Sequence, residues 1–147
     1  MIRHATTEDA SRIAEILIFS KRMNYRTIFH NDKVTFGEMQ VYKLAKEYIE
    51  NPKKLQKIWV YDDEFVKGMI HIEGTQISEL YVDTFFVKQG IGSVLLNFAV
   101  EQHCNYLWVL EKNTKAIHFY EKHNFVLTQN KKFEEGTSEI IIQMKHI

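Results

Sequence analysis

Ile77-Ser-Glu-Leu-Tyr-Val82, then Asp83-Thr-Phe-Phe-Val-Lys-Gln-Gly90, then Ile91-Gly-Ser-Val-Leu-Leu-Asn-Phe-Ala99: the reading of this run decides the fold. Its first part carries the β-branched and aromatic residues of a strand over Ile77–Val82. Phe86–Gly92 is read as a turn, with the helix established from Ser93. Ile91, Val94, Leu95, Phe98 and Ala99 keep the i, i+3, i+4, i+7, i+8 spacing of a helix laid on a sheet. A strand that turns through glycines into a helix aims several backbone N–H groups and a helix N-terminus at one spot, which suits an anion. Glycine lets that anion approach the backbone without a Cβ in the way. The other reading is a tight strand-to-helix turn with no ligand. Two familiar phosphate loops are excluded, because the third glycine of a dinucleotide fingerprint would fall at Leu95 and no Gly-Lys-Ser/Thr exists.

Upstream, Ile58–Tyr61, Phe65–Ile72 and Ile77–Val82 are short apolar runs separated by Asp62-Asp63-Glu64 and Gly74, the signature of an antiparallel meander. Ile2–Ala5 reads as a short first strand. Thr6 and Asp9 have capping-box spacing, and Ala10, Ile13, Ala14 and Leu17 recur at helical intervals. Phe19 to Val34 has no clean period, and a second helix resumes with Val41, Leu44, Ala45 and Tyr48. Pro52 is read as its terminator. Downstream, Tyr106–Leu110 is an apolar run that suits a buried strand parallel to the one before the crossover helix. Asn113 can cap a helix with Ala116, Phe119, Tyr120 and His123 inward, ending at Asn124, a residue that tolerates the left-handed conformation. Two strands near Val126–Phe133 and Glu139–Met144 follow. The expected order is β-α-α-β-β-β-α-β-α-β-β, an α/β (α+β) mixed sheet with helices on both faces, forming a single domain over 1–147.

Composition narrows the function classes. Lys plus Arg number 19 and Asp plus Glu number 19, so no net field draws the molecule to nucleic acid or an anionic membrane. One cysteine, Cys104, cannot make an intramolecular disulfide and suits a reducing compartment; the cytoplasm is the expected location. No secretory leader or membrane span is read. None of the seven histidines has a partner four residues away, so no metal is expected.

The segment Glu79–Asp83 followed by Val87-Lys-Gln-Gly90-Ile-Gly92-Ser-Val-Leu-Leu96 resembles the pyrophosphate loop of the GNAT family of acyl-CoA-dependent N-acyltransferases, usually Arg/Gln-x-x-Gly-x-Gly/Ala. Asn113-Thr-Lys-Ala116-Ile-His-Phe119-Tyr120-Glu-Lys-His-Asn124-Phe125 resembles the family's second hallmark, Asn-x-x-Ala-x-x-Phe-Tyr-x-x-x-Gly-Phe. Three positions depart from these patterns: Val87 where Arg or Gln is usual, Lys88 where Gly is common, and Asn124 for Gly. The resemblance implies acetyl-CoA as cosubstrate. It would be held by the backbone of Leu80 and Val82 along the pantetheine arm, by the loop residues Val87, Lys88, Gly90, Ile91, Gly92 and Ser93, and by Asn113. It implies an amine acceptor, a small molecule or a peptide, that attacks the thioester directly. Homodimers are common in the family.

Such chemistry needs a base, since an amine with pKa near 10.4 is only about one part in 2,500 free at pH 7. It also needs a proton for the departing thiolate. By resemblance Tyr120 is the acid and Glu79, often through water, the base. Each has a plainer reading: Tyr120 as an inward helix residue, Glu79 as a solvent-facing strand residue, Asn113 as an N-cap, and Asp83 as a turn residue. Lys21, Arg22, Arg26 and Lys33, interleaved with Tyr25 and Phe29, either favour an acidic acceptor or form a basic surface loop. A non-catalytic acyl-CoA sensor is the alternative to an enzyme, and a protein-interaction module is a third.

Overall fold

A computed structural model describes residues 1–29, 36 and 39–147, the side chains of 25–29 excepted. The strands are β1 (Ile2–His4), β2 (Ile58–Asp63), β3 (Phe65–Glu73), β4 (Gln76–Val82), β5 (Tyr106–Leu110), β6 (Phe125–Phe133) and β7 (Ile140–His146). The helices are α1 (Ala10–Phe29), α2 (Val41–Glu50), the single turn α3 (Pro52–Leu55), α4 (Ile91–Glu101) and α5 (Thr114–Lys122). The seven strands form one sheet in the order β1-β2-β3-β4-β5-β7-β6, antiparallel except for the β4–β5 pair. The mixed sheet and the element order agree with the sequence reading, apart from the single turn α3 added before β2.

Alternation along the central strands separates two cores. Met69 and Val60 join Ile13, Leu17 and Tyr48 beneath α1 and α2, whereas Ile70 and Ile72 join Leu95, Leu96, Ile117 and Phe125 beneath α4 and α5. Each fully buried aliphatic chain contributes roughly 1.5–3 kcal/mol, so both layers are anchored independently. No described helix is long and apolar enough to cross a membrane.

Three local readings are revised. The helix expected to lose its pattern near Phe19 runs unbroken to Phe29. Its apolar face is buried through Ile18, after which Lys21 and Asn24 turn toward a cleft, so the period fails while the helix continues. Pro52 does more than stop α2: it opens α3, where its missing N–H costs nothing. The crossover helix begins at Ile91, two residues before Ser93.

The feature that positions the site is a break in the sheet. Opposite β3, His71 pairs with Glu79 but Ile72 pairs with Ile77, which leaves Ser78 as an extra residue on β4. Such a bulge bends and twists its strand. Pairing of β4 with β5 accordingly covers only Gln76↔Tyr106 and Ile77↔Leu107, and beyond these the strands splay.

Candidate active site

The splay opens a cleft of about 310 Å³ between Ser78–Tyr81 and Leu107–Leu110, closed from α1 by Lys21 and Asn24 and from α5 by Ala116 and Tyr120. It joins a groove of about 600 Å³ between α4 and α5, lined by Val82, Phe86–Lys88, Gly90–Ser93, Lys115, Phe119 and His123. Leu80, Asn113, Ala116, Tyr120 and Asn24 border both spaces. The sheet is therefore pierced where β4 leaves β5.

The backbone of β4 presents the first set of open polar groups. Asp83 N–H donates to the Lys67 carbonyl of β3. Antiparallel pairing alternates, so Tyr81 and Glu79 also face β3 while the peptide groups of Leu80 and Val82 face the opened side. Ser20 Oγ, 3.4 Å from the Val82 carbonyl oxygen, lies along that edge.

The glycine turn supplies the second. Gly90 is the N-cap of α4 in the left-handed conformation, φ 85°. The first helical bond runs from Val94 N–H to the Gly90 carbonyl, so the N–H groups of Ile91, Gly92 and Ser93 precede the ladder. A Cβ on Gly90 would meet no protein atom within 4 Å; it would enter the open space before these donors. Gly92 meets a different constraint, since a Cβ there would sit 3.3 Å from Phe119 Cζ, where α4 and α5 approach, a contact that asks the ring to give by a few tenths of an ångström. Lys88 also has a positive φ, 65°, which gives the physical reason why glycine is common there. Val87 is exposed and lines the groove; the Ile91 side chain is buried in the core, so its backbone alone faces the turn. Lys88, Lys115 and Lys122 along the groove suit a ligand that carries several negative charges.

Asn113 caps α5, its Oδ1 accepting from Ala116 N–H at 3.2 Å, which leaves the amide NH2 as the part able to reach a ligand. His123 Nδ1 lies 2.8 Å from the Phe119 carbonyl and Nε2 lies 2.9 Å from Ser93 Oγ. The carbonyl can only accept, so Nδ1 carries the proton and Nε2 accepts from Ser93. Tyr120 is half-buried at the mouth shared by cleft and groove, its ring edge-on to Phe119 (5.3 Å) and Phe125 (6.0 Å). Asp83 is a turn residue: it accepts from Phe85 N–H at 2.8 Å and pairs with Arg12 Nη2 at 2.7 Å.

Glu79 lines the cleft on the α1/α2 face. Oε1 is 3.3 Å from His71 Nδ1, and Oε2 is 3.9 Å from Lys21 Nζ. Behind it the buried Tyr48 hydroxyl has no hydrogen-bond partner among the described residues, and burial, with the charge of Glu79, pushes its ionisation well above the usual phenol range. His71 was missed by the sequence reading; only the β3–β4 register places it opposite Glu79. Of the basic cluster, Lys21 reaches the cleft, while Arg22 stacks on Phe19 and Phe36 and donates to the Met39 carbonyl. Lys33 and the side chains of Tyr25, Arg26 and Phe29 lie outside the described residues. Cys104 is buried, and burial raises its thiol pKa.

The chain is 42% identical over 64 residues to a probable N-acetyltransferase, Rv2775, of Mycobacterium tuberculosis, covering 42% of this chain and 37% of that protein. It is 25% identical over 126 residues to the peptidyl-lysine N-acetyltransferase YiaC of Escherichia coli, covering 85% and 82%. The fold matches the PaiA N-acetyltransferase of Thermoplasma acidophilum, solved in complex with coenzyme A, with a TM-score of 0.67 and 20% identity over 99% of this chain and 98% of that one. Residues 54–127, which contain the meander, the glycine turn and the Tyr120 helix, match the acetyltransferase (GNAT) domain family, and the chain belongs to that family of acyl-CoA-dependent transferases.

Proposed function

We propose that this protein transfers the acetyl group of acetyl-CoA to a primary amine by direct attack, with Tyr120 as general acid and Glu79 as base through water. The observation that carries the reading is the pierced sheet. A ligand lying in the α4/α5 groove and an acceptor arriving from the α1/α2 face would meet at the opening that Tyr120 borders on one side and Glu79 on the other.

The groove fits the cosubstrate. The donors of Ile91, Gly92 and Ser93 and the charge of Lys88 would hold its pyrophosphate, with the space before Gly90 left clear of side chain and Val87 covering the loop. The open peptide groups of Leu80 and Val82 would pair with its pantetheine amides as an added strand, with Asn113 opposite. When bound, the cosubstrate supplies an activated acyl group. This chain's residues orient it, take one proton from the acceptor ammonium at Glu79, and give one from the Tyr120 hydroxyl to the leaving sulfur, the second proton lost by the attacking nitrogen restoring the phenol. Phenol is protonated at neutral pH, so Tyr120 needs no special environment to donate. PaiA N-acetyltransferase holds coenzyme A on the same fold, and YiaC acts on peptidyl lysine. Lysine side chains therefore belong in the acceptor panel beside polyamines and N-terminal amines.

The test is release of free CoA from acetyl-CoA against a panel of amines and lysine peptides, read with a thiol reagent. The buried Cys104 contributes little to that signal. Amine-dependent release supports the transferase. Thermal stabilisation by acetyl-CoA without release from any amine would instead support the sensor reading.

A further inference from the structure

His123 is half-buried at the C-cap of α5 and lines the groove beside the first turn of α4. Its Nδ1–H donates to the Phe119 carbonyl at 2.8 Å, and its Nε2 lone pair receives the Ser93 hydroxyl at 2.9 Å. Ser93 thus commits to a protein acceptor the side-chain donor that stands beside the open N–H groups of the turn. We infer that His123 is a further cosubstrate-binding residue, which takes up a proton when a pyrophosphate seats on this turn and so releases the Ser93 hydroxyl to the ligand. The inference rests on the reading of the groove as the acetyl-CoA site.

The hydrogen-bond chemistry asks for that proton. A hydroxyl has a single hydrogen, so Ser93 donates either to Nε2 or to a phosphate oxygen. Were it to turn to the phosphate beside a neutral ring, its oxygen lone pair would face the Nε2 lone pair at 2.9 Å, and a half-buried acceptor would be left unpaired. Protonation removes the conflict. The buffer acid gives up a proton and an Nε2–H bond forms. That bond donates to Ser93 Oγ, and the Ser93 O–H donates in turn to a non-bridging phosphate oxygen. Nδ1–H keeps its bond to the Phe119 carbonyl throughout.

The charges around the ring set the direction. The other titratable groups lining the groove are Lys88 of the turn, Lys115 and Lys122 of α5, and Tyr120; among the described residues no carboxylate lines it. The carboxylate of α4, Glu101, lies eight residues from Ser93, about 12 Å along the helix. Glu121 of α5 is exposed and two residues from His123, a spacing at which helical side chains do not face each other. Of the β6 lysines, Lys131 pairs with Glu111 and Lys132 stacks on Trp108. Without ligand, the three groove lysines therefore favour the neutral ring. A pyrophosphate reverses the sign of the local charge, and imidazole is the side chain that changes charge between about pH 5 and 8. The end of a helix also suits the cation once it forms.

The experiment titrates the full chain with dephospho-CoA, which keeps the pyrophosphate and lacks the 3′-phosphate that itself titrates near neutrality. Calorimetry at about pH 7.5 in buffers of different ionisation enthalpy should report uptake of about half a proton per ligand. Because protons are taken up, affinity should rise as pH falls. His123→Gln introduces an amide that can pair with Ser93 and does not titrate, so its complex should form with no uptake. Binding by the parent without uptake, or equal uptake by parent and variant, would overturn the inference and leave the cosubstrate site standing. No binding of either dephospho-CoA or CoA would overturn the site itself. A second measurement needs no variant: nitrogen-15 spectra of the His123 ring should show mainly the neutral Nδ1–H tautomer in the free protein and a shift toward imidazolium in the complex. A ring that stays neutral on binding, or is imidazolium beforehand, would overturn the coupling.

Discussion

Ser93 Oγ lies 2.9 Å from His123 Nε2, and this bond ties the first turn of α4 to the end of α5 across the groove. Because His123 Nδ1 is committed to the Phe119 carbonyl, Nε2 has only its lone pair to offer, and Ser93 is its donor. Ser93→Ala removes that donor and leaves a half-buried acceptor unpaired. The expected cost is about 1 kcal/mol, roughly 3 °C in melting temperature for a chain of this size. The looser helix pair should also weaken CoA binding by a few-fold in calorimetry. An unchanged melting curve would show that the contact contributes nothing.

Tyr120→Phe deletes one oxygen and keeps the ring contacts with Phe119 and Phe125. Affinity for acetyl-CoA should stay at the parent value, while kcat falls by about 10²-fold or more, the usual scale of general acid catalysis. Calorimetry and CoA release measure the two quantities separately. Parent-like turnover would take Tyr120 out of the acid role and return it to a plain packing residue.

Asp9 connects the first helical turn to β1. Its carboxylate accepts from both terminal nitrogens of Arg3, at 2.8 and 2.9 Å, and from Thr6 N–H at 2.8 Å. The Arg3 bonds hold its carboxyl below the ordinary range against the opposing effect of burial. A pKa lower in the folded state gives stability that is complete above the unfolded-chain value of about 4 and is lost as pH falls through the folded value. Asp9→Asn should therefore cost about 1–2 kcal/mol at pH 7, discounted for the partly exposed arginine. In urea melts the gap between the two proteins should shrink below about pH 4. A constant gap from pH 7 to pH 3 would mean that the ion pair is not its source.

Much of this architecture was legible because its signals are local. The meander, the glycine turn and the Tyr120 helix depend on turn residues and spacing, and Asn124 does adopt the left-handed conformation, φ 68°, expected where the family has Gly. What stayed hidden depends on pairing between distant residues. The Ser78 bulge leaves no composition signal, yet it splays β4 from β5 and makes the cleft. His71 looked like an ordinary strand residue because its partner Glu79 is fixed by register. The end of α1 was obscured for the opposite reason: polar side chains facing a cleft erase the helical period without ending the helix.

Lys88 combines a backbone penalty and a charge, and substitution can separate them. A non-glycine residue at φ 65° costs roughly 1–2 kcal/mol, partly offset by the entropy that glycine loses on folding. Lys88→Gly should therefore raise stability by up to about 1 kcal/mol in a thermal melt without ligand. The same change removes a cation that lines the groove. CoA should bind more weakly to the variant at low salt, and its affinity should fall less steeply as salt rises, because the lost charge was the screened part of the interaction. Gly90→Val reverses the stability effect at the left-handed position two residues on and weakens binding for another reason: it adds backbone strain at φ 85° and puts a side chain into the open space at the turn. That variant should melt lower and lose CoA binding. Equal CoA affinities for Lys88→Gly and the parent at low salt would show that the loop binds through its backbone alone. Parent-like affinity in Gly90→Val would place the phosphates away from this turn.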